Sequence, residues 1–352
     1  MMDVRRTTAR WGAVVLVVTA GTVGGPALAA GAGAVDGVEC GDTITEDSSL
    51  TRDLVCDGVG LTLVGGMTLD LAGHTLVGDG TGSAVRLAPG DDEDERPSTV
   101  RGGTVRDWGV GVHDSGNWRG LVVQEVTFED VGMAIRDEDI NGGGMYLTME
   151  DSVVVGADIG LDLGWPSGGV VRGSRFEGND IVAVGDGRLD LEDCVLVDNR
   201  VLAWVVDIGS LRLVDSDVRG NEEVVDAGWA WATVAGNTFA DNGVVVAASS
   251  ARRTVEGNDF RGNGLAVGAR PSSWPEDPWV GPTEVVGNTF VGNHDAISAW
   301  PGADVRLGDN VVTSSTGWGI HAPGAVDLGG NRAWGNAREP QCTGVVCLGR
   351  QS

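Results

Sequence analysis

The sequence predicts an all-β protein, a single right-handed parallel β-helix of about 11 to 12 coils. Three observations carry this. The nine-residue word VAGNTFADN at Val234 returns as VEGNDFRGN at Val255 and as VVGNTFVGN at Val285. The first Asn of that word, Asn237, has equivalents at His74, Gly103, Val126, Ser152, Ser174, Cys194, Ser216, Asn258, Asn288, Asn310 and Asn331, mostly about 21 residues apart. Two residues after each lies an apolar residue, from Leu76, Val105 and Phe128 through Phe239, Phe260 and Phe290 to Ala333. Five residues after each, the later repeats carry Asn179, Asn199, Asn221, Asn242, Asn263, Asn293 and Asn336, with Ser315 as the exception.

Alternating apolar residues over short runs mean strands with one buried face. Gly and Asn between them mean tight corners, since both accept left-handed backbone. A fixed period stacks each turn on the last, and parallel crossovers favour the right hand. Asn side chains in register can hydrogen-bond along the stack as a ladder.

Residues 1–29 form the first element. MMDVRRTTAR is a charged leader, WGAVVLVVTAGTVGG a short apolar run, and Ala27-Leu28-Ala29 a small-residue cleavage site. This is a secretory signal, too short and glycine-rich to span a membrane. Residues 30–60 are expected to cap the solenoid and contain Cys40 and Cys56. Residues 61–336 are the β-helix, interrupted by LAPGDDEDERPS from Leu87 and RPSSWPEDPWVGP from Arg270. Residues 337–352 form a C-terminal cap or tail with Cys342 and Cys347. An exported chain permits disulfides, and the end-clustered spacing predicts Cys40–Cys56 and Cys342–Cys347. Cys194, alone in the inward column of Asn and Ser, is expected to be a buried free thiol.

The formal net charge is −27, and loss of the signal, with three Arg and one Asp, leaves −29. There is no lysine. Such a surface repels nucleic acid and anionic membranes and suits cations or neutral glycans. Solubility alone is the alternative use of that charge. The expectation is a secreted monomer with no membrane span after cleavage, whose partner is a polysaccharide or cell-surface glycan.

CDGVGLTLVGGMTLDLAGHTLVGDG from Cys56, followed by VRGGTVRDWGVGV from Val100, resembles the opening coils of right-handed parallel β-helix repeat proteins. These belong to the pectin lyase-like superfamily, which includes NosD-like exported proteins. The resemblance runs from about Cys56 to Asn336. It implies the fold but no single activity, since relatives include polysaccharide lyases, glycoside hydrolases, epimerases, adhesins and copper-delivery proteins. The chain lacks a paired-Asp hydrolase motif beside Gly-His-Gly, a lyase lysine and a His/Met copper cluster.

The candidate chemistry follows the main strand of each coil. Six consecutive coils carry Asp114, Asp137, Asp162, Asp186, Asp207 and Asp226 near one corner, and later coils do not. Coils stack about 4.8 Å apart. Two unit charges at that distance repel by about 0.9 kcal/mol in water and about 3.5 at an effective dielectric of 20. The row must therefore splay into solvent, share protons or hold cations such as Ca²⁺. Asp114 and Asp137 align, with His113 and Arg136 before them. The catalytic candidates are Asp114, Asp137, Asp162, Arg136 and His113, and the candidate calcium ligands are Asp114 and Asp137.

Of 12 Trp, Trp118, Trp165, Trp229 and Trp231 follow the Asp corners and are the candidate sugar platforms; Trp274, Trp279 and Trp300 come later. Covering the helix side as local loop cores is the alternative for these rings. The leading reading is an exported protein that binds polysaccharide along an Asp/Trp flank and is a candidate hydrolase or lyase. In the lyase case Arg136 would be the base or anion clamp. The other class is a non-catalytic surface scaffold or adhesin.

Overall fold

The computed structural model describes residues 37–89, 96–116, 120–138, 144–164, 167–185, 187–205, 209–227, 231–248, 252–272 and 281–349. Each repeat folds into three short strands because its apolar alternation is broken twice by left-handed corners. One coil runs Val244–Ala248 on face 1, Arg253–Glu256 on face 2 and Asp259–Arg261 on face 3, then re-enters face 1 at Leu265–Ala269. Every face pairs in parallel with its equivalents in the neighbouring coils, as in Val246↔Val267, Val255↔Val285 and Phe260↔Phe290. The result is a parallel β-solenoid of about twelve turns, of the right-handed type, with no helix among the described residues. Face 1 is a fourteen-stranded sheet from Thr43–Ile44 to Cys342–Thr343.

The inward apolar columns form one continuous core. Phe239, Phe260 and Phe290 stack at centroid separations of 4.9 and 4.7 Å. Two Asn ladders flank this stack. In one, Asn221 Nδ2 donates to the Leu196 carbonyl at 3.0 Å and to Asn242 Oδ1 at 3.0 Å, while its Oδ1 accepts from Asn199 N and Nδ2. In the other, Asn237, Asn258, Asn288 and Asn310 repeat the same contacts. Cys194 fills a place in that second column beside Ser174 and Ser216, donating to the Glu192 carbonyl at 3.3 Å. It is a buried free thiol.

The corners between faces explain part of the acidity. Among the described residues nine acidic ones have positive φ: Asp107, Glu125, Asp130, Asp151, Asp193, Asp198, Asp215, Asp241 and Asp309. Equivalent corners in other coils use Gly, such as Gly236 and Gly257 with φ of 69° and 64°. Short polar side chains tolerate that backbone better than most, so these carboxylates are selected by conformation.

Both ends are stapled as expected, by Cys40–Cys56 and Cys342–Cys347. No helix among the described residues is long and apolar enough to cross a membrane. The expected signal at 1–29 lies outside the described residues.

Candidate functional site

Alternation along face 1 decides which predicted residues reach solvent. In each strand one register column points outward. It contains Arg86, His113, Arg136 and Asp162 on successive coils, followed by Val184. The next column points inward and reads Leu87, Asp114, Asp137 and Leu163.

The aligned pair Asp114 and Asp137 is therefore buried, 1% and 5% exposed. Asp114 Oδ1 accepts from the Gly116 amide at 3.1 Å. Asp137 Oδ2 accepts from the Met145 amide at 3.3 Å and from the Ser167 hydroxyl. Asp114 thus holds backbone just past its strand and Asp137 links Met145 to Ser167, at positions where neighbouring coils place Leu. This corrects the expectation of a carboxylate-floored groove. The two candidate catalytic and calcium-binding residues Asp114 and Asp137 thus lie inside the coil and not on the solvent-facing column. Among the described residues no group of three or more His, Cys, Asp or Glu could hold a metal.

Asp162, one residue earlier in its strand's register than the row required, turns outward instead. It stacks on Arg136, not on Asp137. Burial pushes its carboxyl above the usual range; Arg136 pulls it back, and the charges of Asp137 and Glu138 push it further up. Glu138, which has no place in the predicted row, joins the cluster. Its Oε2 lies 3.0 Å from His113 Nε2 and its Oε1 accepts from Arg136 Nη2 at 3.0 Å. His113 Nδ1 faces Ser83 Oγ at 3.4 Å. The side chain of Glu138 is 43% exposed, against 12% for His113. The outer face thus joins a hard-to-ionise Asp162 to a salt-bridged Glu138. Glu138 lies just past the strand, outside the repeat period; the acidic run RDED beginning at Arg136 was the signal available for it.

The Asn-rich corners do not contribute, because their side chains are consumed in the ladders. Asp295, which stands where the repeat places an apolar residue, accepts from the Trp318 amide of the next coil at 2.7 Å. Trp118, Trp165, Trp229, Asp186 and Asp207 lie outside the described residues. Trp231 is 51% exposed but begins a face 2 strand, Trp231–Ala235, opposite Ser210, and so does not wall face 1.

No family model and no curated protein matches the chain. A solved structure titled "Geobacillus virus E2 - ORF18" is similar to it at 11% identity and a TM-score of 0.25, over 81% of this chain and 54% of that one. The chain thus spans about half the length of that structure, and a likeness this weak bears on neither fold detail nor function.

Proposed function

We propose that this is a secreted protein of the pectin lyase-like β-helix type that binds a polysaccharide across face 1 and cleaves it at the Asp162/Glu138 cluster. The supporting observation is two outward-reaching carboxylates from adjacent coils, one held toward its protonated form and the other salt-bridged. A carboxyl that burial holds toward its neutral form suits a general acid, and a second carboxyl group positioned by His113 and Arg136 suits its partner. Asp162 pairs with Arg136 in register, so Glu138, two residues past Arg136, stands diagonally from Asp162 at about 7 to 8 Å along the backbone, and the two side chains must converge to reach the short separation of a retaining pair. Asp162 would protonate the glycosidic oxygen as Glu138 attacks the anomeric carbon and the leaving sugar departs. Water, deprotonated by Asp162, would then hydrolyse the glycosyl ester and restore both groups. His113 and Arg136 hold Glu138 in place. The resemblance from Cys56 onward and the two disulfides favour an exported carbohydrate-active protein.

The test is a screen of plant, algal and bacterial polysaccharides for released reducing ends and for unsaturated uronate products. Asp162→Asn and Glu138→Gln should each lower cleavage by about 100-fold or more with an unchanged circular dichroism spectrum. Cleavage that survives both substitutions places the chemistry elsewhere. A wild-type protein that binds glycans without cutting any makes it an adhesin or scaffold.

A further inference from the structure

A second concavity lies on the same outer face, toward the C-terminal end. It is a groove of about 340 Å³. Its floor continues the outward column that contains Asp162, through Ala247, Gly268 and Ser298 in register. A methyl, a hydrogen and a hydroxymethyl leave the floor recessed. Trp300 walls the groove and is 59% exposed, a large indole surface to leave in water. Arg270 lies beside it, its guanidinium carbon 5.6 Å from the ring centroid. Both side chains sit on anchored backbone just past face 1 strands, with the Trp300 amide donating to the Ala269 carbonyl at 2.9 Å and the Arg270 amide to the Ala248 carbonyl at 2.7 Å.

We propose that this groove is a second sugar subsite, taking one pyranose ring of a neutral polysaccharide. This rests on the glycan reading of face 1. The flat indole offers an apolar surface to the C–H face of a pyranose, and Arg270 and Ser298 supply hydrogen-bond donors to its hydroxyls. The whole chain's formal net charge of −27 opposes a polyanionic chain, and Glu223 also lines the groove. Four coil steps in register separate Asp162 from Ala247, about 19 Å at 4.8 Å per step. A single chain lying along the solenoid axis reaches both places, so the groove holds the substrate well away from the bond being cut.

The test uses Glu138→Gln protein, which should leave the ligand intact, in calorimetric titrations with disaccharides and hexasaccharides of the cello, xylo, manno and chito series and with polygalacturonate. Adding Trp300→Ala should weaken hexasaccharide binding about ten-fold, the scale of one aromatic contact. Trp300→Phe should recover most of that loss, and Ser298→Tyr, which fills the floor, should reproduce it. Thermal melts confirm that each variant is folded. Equal hexasaccharide affinity in the parent, Trp300→Ala and Ser298→Tyr overturns the subsite and leaves the proposed function standing. Preference for polygalacturonate overturns the neutral class. Failure of the parent to bind any of these ligands overturns the subsite and the glycan reading together.

Discussion

Asp162 and Cys194 show how one position in a solenoid sets a side chain's chemistry. Burial raises the Asp162 carboxyl in the folded state relative to the unfolded chain. The stability linked to its protonation is therefore complete below the unfolded value, about 3.9, and is lost as pH rises through the folded one. Asp162→Asn should be more stable than wild type in urea unfolding near neutrality, and the difference should close as the solution is acidified. A gap that does not change with pH would remove Asp162 from this role. Cys194 sits in a packed column, and burial pushes its thiol up to about 11. It should resist a disulfide-exchange reagent at about pH 8 in the native protein and react once in denaturant. Rapid labelling of the native protein would mean that the column is open there.

The element that repeats is a strand, a left-handed corner and a ladder residue, and each part has its own energy. Phe260 is sandwiched between Phe239 and Phe290. Phe260→Ala should cost about 3 to 5 kcal/mol in chemical unfolding, and Phe260→Leu much less. Asn221→Ala strips the ladder of a donor and an acceptor at a fully buried place, for a loss of about 3 kcal/mol. An Asn221→Ala cost below that of a surface substitution would show that the ladder is ornamental to stability. The corners are more permissive. Asp198, at φ 55°, should accept Gly with little change, whereas Val there should destabilise by about 1 to 2 kcal/mol. The period-two and 21-residue patterns made strands, corners and ladders legible in the sequence, because each depends on residue type at a fixed spacing.

For the whole molecule, a stack that grows in one direction needs stops at both ends. The two disulfides close loops with sequence separations of 16 and 5. Chain entropy gives contributions of about 3 and about 2 kcal/mol respectively. Replacing Cys40 and Cys56 together by Ser should therefore lower the unfolding temperature more than replacing Cys342 and Cys347. The reverse order would show that the C-terminal end is where the solenoid opens first. The strong negative charge also divides at this scale, with nine of the described acidic residues serving as left-handed corners and Glu138 and Asp162 reaching the outer face near its cationic column.

The sequence by itself determined the β-helix, its register, the pairing of four cysteines and the buried state of the fifth. These follow from periodic spacing, and stacking converts spacing directly into contact. It also placed His113 with Arg136 and Asp114 with Asp137 in matched positions. Only the tertiary structure decided which way each carboxylate faces, because a shift of one residue in a strand exchanges core for solvent. That single step buried Asp114 and Asp137 inside the coil and turned Asp162 out beside Arg136. Glu138 joined them from just past the strand end, and Trp300 meets Arg270 one residue beyond the paired Ala269 and Ala299. The period places such residues side by side, but which way their side chains turn past the strand end is set by the fold and not by residue spacing.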